Sequence, residues 1–268
     1  MIAAELNGKI PSELQNFEDL LTSSVIGLFQ YLSSHSYFQS VLESSVNLNG
    51  HQLTFDSPVK ECSFVFWPKL ENSEPDVLLR LKTESDSEIL ICIEAKYWSN
   101  KSSIEDQSID LQDRTNSQRD QLAREIEDIH KVNCLRYLNI NKSKLNSIIL
   151  IYLTNHTYLP REEILESILH VNGVHFQKGQ LYWLTWREIH HSISKIKNFL
   201  TLQDLKLLND LKKLLEKKGL QSFNGFQHHV EEVSGINITY NTASNSYSWN
   251  RQNDVEKLNW YYGGKQNG

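Results

Sequence analysis

Leu14, Leu21, Val25, Leu28 and Leu32 recur at helical spacing and predict a helix over 12–32, with Ser12 and Gln15 as its capping box after Pro11. The Ser-rich stretch 35–49 is weakly patterned and predicts a short helix in its middle. A strand-rich block follows, at 52–55, 61–67, 76–82 and 88–96. The last strand is the clearest: Ile89 to Ile93 are apolar without a break, and continuous apolarity marks a strand covered on both faces. Residues 101–116 are polar and predict a loop or lid, and 117–132 predict a helix with Leu122, Ile126 and Ile129 inward. Then come a strand at 147–153, a helix from Pro160 to about 171, a strand at 179–185, and a helix capped by Thr185 and Glu188. An amphipathic helix over 202–218 turns Leu205, Leu208, Leu211 and Leu215 to one side and stops at Gly219. Beyond 225 the chain is polar, and no repeat is present.

This order predicts an α/β fold, a mixed central β-sheet flanked by helices on both faces. It predicts a core over 1–200 and, over 201–268, a helical and polar C-terminal extension. The chain has 268 residues, 39% of them hydrophobic and 22% charged, enough for one well-buried domain. A net charge of −6 excludes a global basic field, so any contact with nucleic acid must come from a local patch. Cys62, Cys92 and Cys134 fit neither a zinc site nor a disulfide framework and suit a reducing compartment. The N-terminus lacks the pattern of a signal peptide, and the longest apolar run, 148–153, is too short to span a bilayer. The expectation is a cytoplasmic protein with no membrane contact, in which the Asn237-Ile238-Thr239 sequon carries no weight.

The chemistry concentrates where two strands end. Asp76 opens one strand after Pro75, and Glu94-Ala95-Lys96 closes the next. The short polar turn 83–87 makes the two an adjacent hairpin, which places Asp76 near Glu94; Glu94 and Lys96, two apart, share a face. Two carboxylates and the carbonyl of Ala95 form a hard oxygen site suited to Mg²⁺, and Lys96 beside it can orient a water or stabilise a phosphorane-like transition state. Glu-x-Lys alone is a weak signal, and Glu216-Lys217-Lys218 is a second copy. The first copy stands out because it ends a buried strand beside a Pro-Asp strand; the competing reading is a surface salt bridge at a strand end.

Glu74-Pro75-Asp76 followed by Ile93-Glu94-Ala95-Lys96 resembles the PD-(D/E)XK, or restriction-endonuclease-like, nuclease superfamily. The resemblance implies a mixed sheet flanked by helices, with Asp76 and Glu94 as metal ligands and Lys96 as the catalytic lysine. It implies Mg²⁺ as the cofactor, with Mn²⁺ as a substitute. It also makes Glu18, on the first helix, a candidate metal ligand alongside Asp76, Glu94 and Ala95. Gln121, opening the helix after the loop, becomes a candidate to bind a water or the DNA backbone. The implied activity is hydrolysis of phosphodiester bonds in DNA, as an endonuclease in bacterial defence against foreign DNA. The alternatives are a nuclease-fold binding or scaffold subunit of little activity, or an RNA or repair nuclease. A homodimer, and a protein partner at the C-terminal region, stay open.

Other signals weigh less. Tyr97, Trp98 and Lys101 could track a phosphate backbone or simply cover the sheet end, and Trp67 and Pro68 are similar. Lys195, Lys197, Lys206, Lys212, Lys213, Lys217 and Lys218 are the only clustered positive region, and a solvated outer face explains them equally well. His190-His191 and His228-His229 lack the further ligands a zinc site needs, and neither a Gly-x-Ser-x-Gly turn nor a Gly-rich phosphate loop is present. The aromatic run Trp260-Tyr261-Tyr262 suggests a docking element.

Overall fold

A computed structural model describes residues 2–9, 17–99, 101–197 and 201–222, together with the backbone of 236–241 and 246–251. The chain divides into two compact units, Met1–Ser222 and Phe223–Gly268.

The first unit is built on a six-stranded mixed sheet: β1 (Val46–Asn47), β2 (Val59–Phe66), β3 (Val77–Thr83), β4 (Glu88–Ala95), β5 (Leu145–Thr154) and β6 (Leu181–Thr185), in the order β1-β6-β5-β4-β3-β2. β2, β3 and β4 form an antiparallel meander, β5 runs parallel to β4, β6 runs parallel to β5, and β1 caps the far edge antiparallel. Eight helices surround it among the described residues: α1 (Ile2–Leu6), α2 (Glu18–Val25), α3 (Ser36–Glu43), α4 (Gln121–Ile129), α5 (Val132–Tyr137), α6 (Arg161–Leu169), α7 (Trp186–Lys195) and α8 (Leu202–Lys217).

Alternate residues of the strands enter two cores. Leu79, Ile89, Ile91, Ile93 and Ile151 pack with α2, α3, α7 and α8. Leu78, Leu90, Cys92, Leu150 and Tyr152 pack with α4, α5 and α6. Every residue of β4 is buried, as its unbroken apolarity requires. Each aliphatic side chain buried there contributes about 1.5–3 kcal/mol.

Several expected boundaries move. α2 ends at Val25 and passes into a 3-10 turn, Gly27–Tyr31, because Gly27 weakens a continuous helix; the expected cap at Ser12 and Gln15, with Leu14, lies outside the described residues. The segment 52–55 is not a strand; Gln52 makes only an isolated bridge to Val46. The helix expected over 117–132 starts at Gln121, where Asp120 accepts from the Ala123 N–H, and α5 follows it as a separate helix. The proposed division at 200 falls inside the first unit, since Leu208, Leu211, Leu214 and Leu215 of α8 are buried in its core. Residues 223–268 are not only a polar tail: β7 (Ile236–Asn241) and β8 (Ser246–Arg251) pair antiparallel, with Ile238 opposite Trp249. His228, His229 and Trp260-Tyr261-Tyr262 lie outside the described residues.

α8 is held at its start by Asp204, which is buried and accepts from the Ser33 N–H at 2.8 Å and from Thr201 Oγ1 at 2.7 Å. Burial opposes this charge, but the bonds from Ser33 and Thr201 outweigh it and hold the carboxyl below its ordinary range. Its folded pKa is depressed, so the stability it contributes is present above the ordinary carboxylate range and is lost as pH falls. Asp204→Ala is expected to cost about 2–3 kcal/mol at pH 7 and much less at pH 3, read by urea unfolding at the two pH values.

Candidate active site

The hairpin register builds the site. Val77 pairs with Ile93 and Leu78 with Cys92, so one step further Asp76 faces Glu94 on the α4 side of the sheet. Asp76 accepts from the Ala95 N–H at 2.8 Å, which locks the two strand ends together. Lys96 follows directly: its N–H donates to the Leu153 carbonyl at 2.7 Å, and Trp186 Nε1 donates to its carbonyl at 3.0 Å.

The structure brings together Glu18, Asp76, Glu94, Ala95, Lys96 and Gln121. Lys96 Nζ donates to Glu94 Oε1 and, at 3.3 Å, to Glu18 Oε1. Glu18, the first residue of α2, also accepts from the Tyr97 N–H at 2.7 Å and Ser99 Oγ at 2.6 Å. Gln121 is buried: its Nε2 donates to Glu94, and its Oε1 accepts from the Ser102 N–H at 2.8 Å and Ser102 Oγ at 3.0 Å. Gln121 therefore bridges Glu94 and the first turn of the loop 101–120. That loop is tied down, with Lys101 paired to Asp120, and Glu105 paired to Arg114 and accepting from the Asp120 N–H at 2.7 Å.

Glu125 belongs to the same cluster and was missed from sequence. It is 1% exposed, shares a hydrogen bond with Glu94, and its Oε2 has no hydrogen-bond partner. Its spacing of four from Gln121 on a helix was the available signal.

Four carboxyl groups thus surround one ammonium. Burial first, then the charge of Glu94, pushes the Asp76 carboxyl up to about 8. Burial likewise raises Glu94, against the pull of Lys96, and raises Glu125 well above the ordinary range. Burial disfavours the Lys96 charge, but Glu94, Glu18 and Asp76 outweigh it and hold the ammonium above its usual range. Lys96 is therefore a cation here, an electrostatic group and not a base.

The raised Asp76 pKa has a measurable sign. Between about pH 4 and 8 the folded chain keeps a proton that the unfolded chain has released, so stability falls as pH rises through that window. In EDTA, the melting temperature is expected to drop from pH 5 to pH 8, by a free energy of about 2–4 kcal/mol. A flat profile would show that Asp76 ionises normally.

Among the described residues, no three His, Cys, Asp or Glu side chains converge as a ready metal cage. Each carboxyl is turned to a different partner: Asp76, Glu18 and Glu94 accept from Ala95, from Tyr97 and Ser99, and from Lys96 and Gln121, while Glu125 donates to Glu94. The donor set still fits a hard divalent cation, because all the candidate ligands are oxygen, the carboxyl groups outnumber the single ammonium, and Glu125 Oε2 is buried and unbonded.

The remaining sequence signals separate. Trp98 is 66% exposed, so it does not seal the sheet end, whereas Tyr97 beside it is buried. Lys217 and Lys218 are tied to Glu5 of α1 and leave the basic stripe shorter, while Lys206 and Lys213 are exposed. His190 is buried against Ser222 and Glu216, a packing role. No helix among the described residues is long and apolar enough to cross a membrane. No family model, curated protein or solved structure matches this chain.

Proposed function

We propose that the protein is a divalent-metal-dependent nuclease that hydrolyses phosphodiester bonds in DNA, with Asp76, Glu94 and Lys96 at its centre. The observation that carries the reading is the convergence of these three at adjacent strand ends, with more buried carboxyl groups than one lysine can neutralise. A stability-optimised salt bridge would not need Glu18 and Glu125 beside it. The resemblance to the PD-(D/E)XK superfamily supports the same conclusion, and the mixed sheet with helices on both faces agrees with what that resemblance implies.

In this reading Asp76 and Glu94 hold the cation, with the Ala95 carbonyl, Glu18 and Glu125 as further oxygen donors. When bound, Mg²⁺, or Mn²⁺ in its place, lowers the pKa of water and offsets charge on the scissile phosphate. Gln121 orients Glu94 from α4 and fixes its carboxylate plane. Lys96, a fixed ammonium, stabilises the charge that develops on the phosphate oxygens. Trp186 and Leu153 hold the Lys96 backbone, so that little reorganisation is needed at the moment of reaction. The physiological setting that the resemblance suggests is defence against foreign DNA.

The test is direct. Purified protein is incubated with supercoiled plasmid, linear duplex, single strands and RNA, in Mg²⁺ or EDTA. Nicking or linearisation of plasmid in Mg²⁺ alone is the expected result. Binding without cleavage in every metal would favour a scaffold subunit, and preference for RNA would move the substrate class.

A further inference from the structure

An open cleft of about 490 Å³ lies at the same end of the sheet as the carboxylate cluster, on the face that α2 and α8 cover. It is bounded by α1, by the end of α2 with its 3-10 turn, by the end of β2 and by α8. Two observations single it out. Among the described residues its lining holds no Asp, Glu, Lys or Arg, although the neighbouring site is crowded with charge. It is instead walled by Phe66, Trp67 and Tyr31, with the hydroxyls of Ser23 and Ser24 and the amide of Gln30 among them.

Trp67 sets the character of the cleft. Its φ is +47°, in the left-handed region, where a bulky side chain is strained and glycine is favoured. An indole held at such a position, and still 37% exposed, is poorly explained by packing. Its ring leans on Phe66 at a centroid separation of 5.5 Å and is tilted by 46°. The backbone N–H of Trp67 donates to the Asp76 carbonyl at 3.0 Å, so the strained residue is one hydrogen bond from the strand end that carries Asp76. Tyr31, 70% exposed, also lines the cleft.

We infer that this cleft receives an unpaired nucleobase of the substrate, stacked on Trp67, while the phosphodiester of the same strand lies at Asp76, Glu94 and Lys96. The inference rests on the nuclease reading and narrows it to substrates with a single-stranded or extruded nucleotide. The chemistry is matched on three counts. A base is flat and uncharged, which suits an aromatic cleft without ionised groups. Its edge carries donors and acceptors, which suits Ser23, Ser24 and Gln30. The cleft is within the size range of ligand sites and large enough for one base, but it cannot admit a duplex.

Two variants test it without removing the fold. Gly27 lines the cleft, and a Cβ there meets nothing closer than the Phe66 ring at 3.7 Å, so Gly27→Leu projects into the cleft and fills it. Trp67→Gly removes the indole and relieves the backbone. Binding of a fluorescent DNA single strand, the same strand as RNA, and a blunt duplex is measured in EDTA on the full chain, with melting temperature as the folding control. Both variants are expected to lose about tenfold or more in single-strand affinity, the size of one lost stacking contact, and Trp67→Gly to melt no lower than wild type. A 2-aminopurine placed in the strand should be quenched on binding by wild type and not by Trp67→Gly. Unchanged single-strand affinity in both variants overturns the inference. That failure differs from failure of the nuclease reading: if Mg²⁺ supports cleavage that Lys96→Ala abolishes, the nuclease stands and only the base site falls. If Mg²⁺ supports no cleavage but both variants lose single-strand binding, the base site stands alone.

Discussion

Lys96→Ala should reduce Mg²⁺-dependent plasmid cleavage by about two to three orders of magnitude, the usual loss when one preorganised group that stabilises developing charge is removed. It should also destabilise the metal-free protein. Among the described residues the Lys96 ammonium is the only cation bonded to Glu94 and Glu18, and it lies within reach of Asp76's charge. Stripping it away leaves buried carboxyl groups facing one another, at a cost of about 3–5 kcal/mol near pH 8. At pH 5 the same groups can take up protons, so the penalty should shrink. Initial cleavage rates, and melting curves in EDTA at the two pH values, check both parts. A variant that cleaves like wild type would remove Lys96 from the chemistry. A variant that is inactive but equally stable at both pH values would mean that the carboxyl groups are less crowded than the structure shows.

Asp76→Asn should separate the two effects. The asparagine oxygen can still accept from the Ala95 N–H, so the strand ends stay joined. The substitution removes a carboxyl that burial has already pushed up to about 8. Activity is expected to fall at least about 100-fold, because a metal ligand is lost. At pH 8 in EDTA the melting temperature is expected to rise by about 3–8 °C, and Mg²⁺ should no longer raise it. Gain of stability with loss of activity is the mark of a residue kept for function. If Asp76→Asn instead melts lower and keeps its Mg²⁺ response, the carboxylate is structural.

Much of this was legible in the chain because local pattern and tertiary environment agree. Ile89 to Ile93 announced a buried strand, the turn at 83–87 announced its partner, and the two-residue spacing of Glu94 and Lys96 placed both at one strand end. α4 was misread because its apolar stripe suggested a half-exposed helix. All nine of its residues are buried, since its polar side chains bind loops and not water: Asp128 accepts from the Asn72 N–H at 2.7 Å and Ser73 Oγ at 2.8 Å, and Arg124 donates to Ser103 Oγ at 3.0 Å. Such long-range polar contacts have no period. Glu125 was hidden for that reason, and so was the burial of Gln121. β1 was illegible for another: two residues carry no alternation, and only β6 gives them a partner.

Trp186 closes the site from far along the chain, ninety residues after the Lys96 carbonyl it binds, and Tyr97 Oη donates to the Lys218 carbonyl at 3.2 Å. During synthesis, a nascent chain that has made Asp76, Glu94 and Lys96 still lacks both of these anchors. Lys96 reaches its final geometry only once α8 has left the ribosome. A half-made chain therefore carries Asp76, Glu94 and Lys96 without the assembled centre, and for the nuclease proposed above the order of translation would itself delay the onset of activity.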